Sequence, residues 1–306
     1  MEKKHRNAPV VLFVYNRLDH TIHVLESLAK NLLADQTDLY VFSDAAKTEN
    51  GLEKVTAVRE YIRKEEWRKN FQNVTVIEAE KNQGLAKSII GGVSKIIEEY
   101  GKVIVLEDDL VLSPYFLQYM NGALEYYRDA SEVWSVSGYS FPMKSLKKYP
   151  HDVFYSYRGC SWGWATWKDR WEKTDWEVKD YPKLMSDVAW QKRFNRGGAD
   201  LTGMLTMQME GKINSWAIRW VFAQSNLEMY TVYPKFSYIL NDGCDGSGTH
   251  VGTTEEYRTE ISEGVCQCRY ERLEIDGRIA REFWYKYSDT LDKKIKRNLK
   301  KLLKIS

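Results

Sequence analysis

Four apolar runs, each followed by a segment of different periodicity, constrain this chain more than any other feature. Residues 9–15 (PVVLFVY) are continuously apolar, β-branched or aromatic, which is how a strand buried on both faces reads. The signal recurs at residues 39–42 (LYVF), 74–77 (VTVI) and 102–106 (KVIVL). Between these runs, helical spacing predicts helices over residues 21–33, 51–69 and 85–100. Strands that alternate with helices of ten or more residues form βαβ units, so the expected fold is α/β: a doubly wound, mostly parallel sheet flanked by helices. Residues 1–110 form its nucleotide-binding-like half. Past Asp109 the alternation breaks into short strands, Trp-rich turns and a few helices. With only 6 prolines, no repeat and no low-complexity linker, residues 1–255 are expected to be one composite domain. Residues 256–306 are expected to be a helical C-terminal extension.

The 306 residues include 11 Trp, 20 Tyr and 10 Phe, enough burial to offset ordering entropy and exclude disorder for most of the chain. No stretch reaches the length of an apolar membrane span, and the first eight residues (MEKKHRNA) contain no apolar signal core. The 4 cysteines are too scattered for a disulfide scaffold, since only Cys266 and Cys268 are close, and no zinc spacing is found. Reduced thiols and a cytoplasmic location are the expectation.

Charge is balanced, 45 Lys and Arg against 43 Asp and Glu, but unevenly placed. Residues 293–306 carry seven basic residues and no acid, with Ile295, Leu299, Leu302 and Leu303 on one helical face. The remainder is slightly acidic, so the body has no nucleic-acid footprint. The basic amphipathic end is expected either to rest on an anionic inner membrane surface, near a lipid-linked acceptor, or to be a solvated helix.

In an open α/β sheet, ligands bind beyond the carboxyl ends of the strands. Polar clusters stand at three such ends here: Tyr15-Asn16-Arg17, Ser43-Asp44 and Glu107-Asp108-Asp109. The acidic triplet is the most informative, because adjacent carboxylates beside a low-dielectric core need a compensating cation. Hard oxygen ligands favour Mg²⁺ or Mn²⁺, typically held by one or two carboxylates plus substrate phosphates. A solvated helix-capping turn is the competing reading of the triplet alone.

These residues resemble the metal motif of GT-A fold glycosyltransferases, and most closely the inverting N-acetylglucosaminyltransferases, where it is also written EDD after an apolar strand. The likeness extends over roughly residues 8–252 and concentrates in Val14-Tyr-Asn-Arg17, Ser43-Asp44, Val105-Leu-Glu-Asp-Asp109 and the Gly-Trp stretch at 163. Cys160-Ser-Trp-Gly-Trp-Ala-Thr-Trp167 is similar to a segment of bacterial surface-polysaccharide sugar transferases. The resemblance implies a UDP-sugar or other nucleotide-diphosphate donor, a saccharide acceptor and inversion. It implies that Asp109 contacts the metal, that Asp108 and Glu107 hold ribose, donor sugar and metal-bound water, and that Asp44 faces the base. Asn16 and Arg17 would line the nucleotide cleft, and residues 111–255 would form the acceptor half.

Other assignments combine residue chemistry with that frame. Gln83, Gly84 and Lys87 sit at a strand-to-helix junction, where a glycine and a helix N-terminus suit phosphates or serve only as a turn. In Asn241-Asp-Gly-Cys-Asp-Gly-Ser-Gly-Thr-His250, three glycines suit a closing loop and His250 is a candidate Mn²⁺ ligand. Trp162, Gly163, Trp164 and Trp216 are expected to build a sugar-facing wall, since flat ring faces suit pyranose C–H faces, although core packing is the plain alternative for any single Trp. Arg219 is a candidate partner for a phosphate or an acidic acceptor.

Inverting displacement also needs a carboxylate base. In the similar transferases it stands just before a helical Trp. Here Asn214 and Ser215 fill those positions, and an amide cannot take the proton near neutral pH. Asp200, Asp242 and Asp245 are the alternative bases. Two other readings remain open at this level: a nucleotidyltransferase, weakened because Tyr15-Asn-Arg-Leu-Asp-His20 has no glycine to grip a triphosphate, and a catalytically silent sugar-binding protein.

Overall fold

A computed structural model describes residues 7–243, 259–261 and 268–288. The first half alternates as its sequence dictates. Strands β1 (Val10–Val14), β2 (Asp38–Ser43), β3 (Asn73–Glu78) and β4 (Lys102–Glu107) are interleaved with helices α1 (Leu18–Ala29), α2 (Leu52–Ile62), α3 (Glu65–Arg68) and α4 (Leu85–Tyr100). All five β1 residues are buried, as a strand covered on both faces requires. The expected single helix over residues 51–69 is in fact two, because Lys64 takes an extended backbone (ψ 139°) between them. That break turns Trp67 inward, where its indole Nε1 donates to Tyr61 O at 3.2 Å and its ring meets Phe71 edge-on.

The second half contains β5 (Leu110–Leu112), α5 (Phe116–Tyr126), β6 (Val133–Ser137), β7 (Val153–Ser156) and β8 (Trp164–Trp167). It continues with α6 (Lys168–Trp171), α7 (Tyr181–Ser186), α8 (Val188–Phe194), α9 (Leu201–Met209), α10 (Trp216–Asn226), β9 (Tyr230–Pro234), β10 (Ile239–Asn241) and α11 (Gly277–Lys286). It is more helical than the sequence suggested, with five helices between β8 and β9. One eight-stranded sheet runs β3-β2-β1-β4-β8-β6-β9-β7, and a two-stranded ribbon pairs β10 with β5. Strands β3, β2, β1 and β4 are mutually parallel, whereas β8 enters antiparallel to β4. This mixed, mostly parallel sheet flanked by helices is the Rossmann-like arrangement expected from the sequence.

The ribbon matters most for the site. Asn241 pairs with Leu110, which brings a segment more than 130 residues distant onto the acidic end of β4. The C-terminal helix is no loose appendage, since Ile279 and Phe283 are buried in the main core and Phe283 packs on Phe141 and Tyr233. Asp276 caps α11 by accepting from the backbone N–H groups of Arg278 (2.8 Å) and Ile279 (3.3 Å). The Arg278 guanidinium and these amides hold the Asp276 carboxyl down at about 2. Since the folded-state value is depressed, the cap is fully effective above the unfolded value of about 3.9 and is lost as pH falls toward 2. Asp276→Ala is expected to cost about 1 kcal/mol at neutral pH, a difference that shrinks in acid, measurable by chemical denaturation.

No helix among the described residues is long and apolar enough to cross a membrane. Asp245, His250 and residues 293–306 lie outside the described residues, so the expectations placed on them have no structural counterpart here.

Candidate active site

The carboxyl ends of β1, β2 and β4 bring three predicted clusters together. Parallel registry sets Val14 opposite Ser43 and Phe13 opposite Glu107, so Tyr15-Asn16-Arg17, Asp44 and the acidic triplet emerge on one edge of the sheet. Asp108 is buried at 5% exposure. The Asp109 side chain keeps 18% and is reachable. The Arg17 guanidinium spans both: its Nη2 meets Asp108 Oδ1 and donates to Asp109 Oδ2 at 3.1 Å, and its Nε donates to Asp108 Oδ2 at 3.4 Å.

Burial, reinforced by the two neighbouring carboxylates, pushes the Glu107 carboxyl well above the ordinary range. Burial also raises Asp108, and Arg17 pulls it part of the way back. Among the described residues no group of three or more His, Cys, Asp or Glu side chains is arranged to hold a metal ion by itself. Asp109 is the reachable carboxylate of the triplet, the kind of hard oxygen donor that divalent ions such as Mg²⁺ and Mn²⁺ accept.

The β10 ribbon closes one side. Asp242 N donates to Asp109 O at 2.8 Å, and Gly243 N donates to Asn241 Oδ1 at 2.9 Å. A Cβ on Gly243 would fall 2.8 Å from Asp109 Cβ, so only glycine lets the chain lie against that carboxylate. Asp242 has a 48% exposed side chain with His23 Nδ1 at 3.8 Å. No local sequence signal marks this pairing, which depends on the fold of β10.

Asp200 is differently employed. Its two oxygens accept from Arg158 Nη1 and Nη2 at 2.8 and 2.9 Å, and that guanidinium stacks 3.9 Å from the Tyr287 ring centroid. It is a strut between the body and the C-terminal helix. Asn214 is exposed, and Ser215, the other position where an acid was expected, caps α10 by accepting from Ile218 N at 3.3 Å.

Asp44 differs from the expectation of a residue turned toward a base. Oδ1 accepts from the N–H groups of Ala45 and Gln83, both at 2.8 Å. Oδ2 accepts from Gly84 N at 2.9 Å and Asn82 Nδ2 at 3.1 Å. Four donors fill a carboxylate's lone-pair sites. Asp44 thus fastens the β3–α4 loop and satisfies the start of α4 from across the sheet, where Gly84 adopts φ 73° at the N-cap. Asp44→Ala is expected to cost about 1–2 kcal/mol and to speed hydrogen exchange at the Gln83 and Gly84 amides by tenfold or more.

A cavity of about 250 Å³ lies beneath this loop. Phe42, Ile77 and Ala79 form apolar walls, and Asp44, Gln83 and Lys87 also line it. Its roof is the Gly91–Gly92 pair of α4: Gly91 has nothing within 4 Å of a built Cβ, and one on Gly92 would lie 2.8 Å from the Phe13 ring. The sequence signal was available, since two glycines inside an otherwise strong helix cost about 1 kcal/mol each relative to Ala and call for a packing reason. Arg59, also missed, braces the rim by donating to Ala79 O at 2.7 Å and to Asp44 O at 3.4 Å. Tyr15, which does not line the cavity, accepts from Lys47 N at 3.2 Å through its hydroxyl.

The expected tryptophan wall is mostly core. Trp164 and Trp216 are 1% and 3% exposed and stack on one another at 5.0 Å, with Trp171 and Trp220 completing the cluster. Their faces are occupied by other indoles, not open to a sugar. Trp162 alone is half-buried, edge-on to Tyr139 at 4.7 Å. Gly163 is required where it stands: φ is 57°, and a Cβ would overlap Ile239 and touch Leu106, the residue before the acidic triplet. Arg219 donates to Ser215 O and Trp176 O, both at 3.1 Å, so its charge is spent on backbone carbonyls.

A family model described as Glycosyl transferase family 2 matches residues 10–180. Two solved structures are similar in fold. One is TarS of S. aureus, 15% identical over 56% of this chain and 30% of that one, with a TM-score of 0.38. The chain thus spans under a third of the length of TarS. The other is the mannosyltransferase PcManGT from Pyrobaculum calidifontis in complex with GDP-Man and Mn²⁺, 14% identical over 72% and 69% of the two chains, with a TM-score of 0.41. No curated protein matches the chain.

Proposed function

The chain belongs to glycosyl transferase family 2, and from that premise we propose that it transfers a sugar from a UDP-sugar to a saccharide of a bacterial surface glycan, with inversion. The observation that carries this reading is the meeting of Arg17, Asp108 and Asp109 at the end of β4, where the Asp242 backbone also bonds to Asp109, on the sheet edge that further along, at the ends of β2 and β3, holds the apolar cavity. The cavity's apolar walls and volume suit a nucleobase, the reachable Asp109 suits the diphosphate end, and Asp242 offers a half-exposed carboxylate on the segment bonded to Asp109.

Asp109 would hold Mn²⁺ or Mg²⁺, with Asp108 and Glu107 ordering ribose, donor sugar and bound water; the ion would neutralise the departing nucleoside diphosphate. Asp242 is the proposed base. It takes the proton of the acceptor hydroxyl as that oxygen bonds to the anomeric carbon and the bond from that carbon to the diphosphate oxygen breaks. Of the alternative carboxylates, Asp200 is already bound to Arg158. Inversion follows from a single displacement of this kind. A basic C-terminal segment, residues 293–306, would favour an anionic membrane surface bearing a lipid-linked acceptor; liposome co-sedimentation with and without that segment checks it.

The test is nucleotide release from a panel of nucleotide-diphosphate sugars with Mn²⁺, Mg²⁺ or EDTA, with and without saccharide acceptors, followed by NMR assignment of the product anomer. Release of UDP that stops in EDTA, with an inverted product, is the expected result. No release from any donor, together with no metal-dependent nucleotide binding, would refute the reading.

A further inference from the structure

Arg17 is held at both ends. Its carbonyl accepts from Thr21 N at 3.0 Å and Thr21 Oγ1 at 2.8 Å, which fixes it at the start of α1. Its side chain runs back over the end of β4, where the Asp108 and Asp109 carboxylates hold the guanidinium firmly charged, well above its ordinary pKa. The geometry is that of an internal cation set between two acids, with the Nη2 group shared by both. Its other amino group is unlike the first: Nη1 is buried and has no hydrogen-bond partner among the described residues. A buried donor left in this way is costly, and an anion is what would satisfy it.

An ion approaching Asp109 meets this guanidinium at once. A bare divalent cation would settle within a few ångströms of a fixed positive charge, against a carboxylate pair already half neutralised, and like charges at that range repel strongly in a poorly solvated site. An ion that arrives with a nucleoside diphosphate brings compensating negative charge, and its oxygens are acceptors for the unsatisfied Nη1.

Resting on the metal-dependent reading above, we propose that Arg17 is a built-in counter-cation that makes the site select the metal–nucleoside diphosphate complex over the free metal. It stands in for the ion on Asp108 and Asp109, resists a lone divalent cation, and yields its hold on Asp109 when diphosphate oxygens become available. The specificity lies in the charge of the side chain as well as in its shape.

Mn²⁺ titration of the full chain by calorimetry, with and without UDP, tests this on the wild type, Arg17→Met and Arg17→Lys, with thermal unfolding measured alongside. The wild type should bind Mn²⁺ alone weakly and Mn²⁺ with UDP tightly. Arg17→Met should bind Mn²⁺ alone about tenfold or more tighter than the wild type, and Mn²⁺ alone should raise its melting temperature by more than it raises the wild type's. Arg17→Lys, which keeps the charge, should behave as the wild type toward the lone metal. Arg17→Gln, which keeps polar contacts and removes only the charge, serves if the Met variant does not fold. Unchanged or weaker binding of lone Mn²⁺ by the charge-removing variant, while the wild type binds Mn²⁺ with UDP, overturns the counter-cation role and leaves the metal reading standing. Failure of the wild type to bind Mn²⁺ even with UDP overturns both.

Discussion

Asp109→Asn is expected to lower turnover by about 10³-fold while leaving the melting temperature nearly unchanged. The substitution keeps the side chain's volume and an oxygen that can still accept from Arg17 Nη2, which donates at 3.1 Å in the native protein. It removes the charge on the most reachable carboxylate at the end of β4. If that charge holds the ion that stabilises the departing diphosphate, its loss is worth several kcal/mol in the transition state, and each 1.36 kcal/mol is about tenfold in rate. The neighbouring Asp108 is a poorer probe, because it is buried at 5% exposure and tied twice to Arg17, so its substitution mixes folding with catalysis. Steady-state kinetics with saturating Mn²⁺, set beside thermal unfolding of the same samples, provide the check. Turnover within threefold of the native value would remove Asp109 from the chemistry and with it the metal-centred reading of the site.

The parts of this molecule legible in its sequence are those whose signals are local. A parallel strand covered on both faces must be continuously apolar, so β1 and β4 could be placed within a residue or two. The acidic triplet could be placed at a strand end because it directly follows such a run. What the sequence did not disclose depends on registry between distant segments. Nothing in a three-residue strand indicates that Asn241 pairs with Leu110, and that pairing is what sets Asp242 and Gly243 against Asp109. Asp44 was recognised as important at its strand end, but its bonds to the loop 38 to 40 residues onward made it a fastener instead of a free recognition group. Asp200 could be named only as one of three alternative bases, since the Arg158 that occupies it stands 42 residues away.

The tryptophans pose the same problem most sharply, because an indole that lines a pocket and one that fills a core are identical in sequence. Trp164→Ala is expected to destabilise the protein by about 3–5 kcal/mol, with a fall in melting temperature of about 5–8 °C for a chain of this size. The ring is 1% exposed and meets three others, Trp171 at 5.8 Å, Trp216 at 5.0 Å and Trp220 at 5.6 Å, so its removal leaves a cavity that rigid indoles cannot readily close. Its Nε1 is buried with no hydrogen-bond partner among the described residues. Trp164→Phe therefore sacrifices volume but no hydrogen bond, and should lose less than half as much stability as the alanine variant. A sugar-facing wall predicts the opposite pattern: an unchanged melting temperature and a raised acceptor KM. Since β8 lies between β4 and β6, Trp164 acts on the acidic triplet only through the folding of the sheet. Turnover of the alanine variant should accordingly decline only as its folded fraction does, which parallel measurement of activity and circular dichroism across the unfolding transition would reveal.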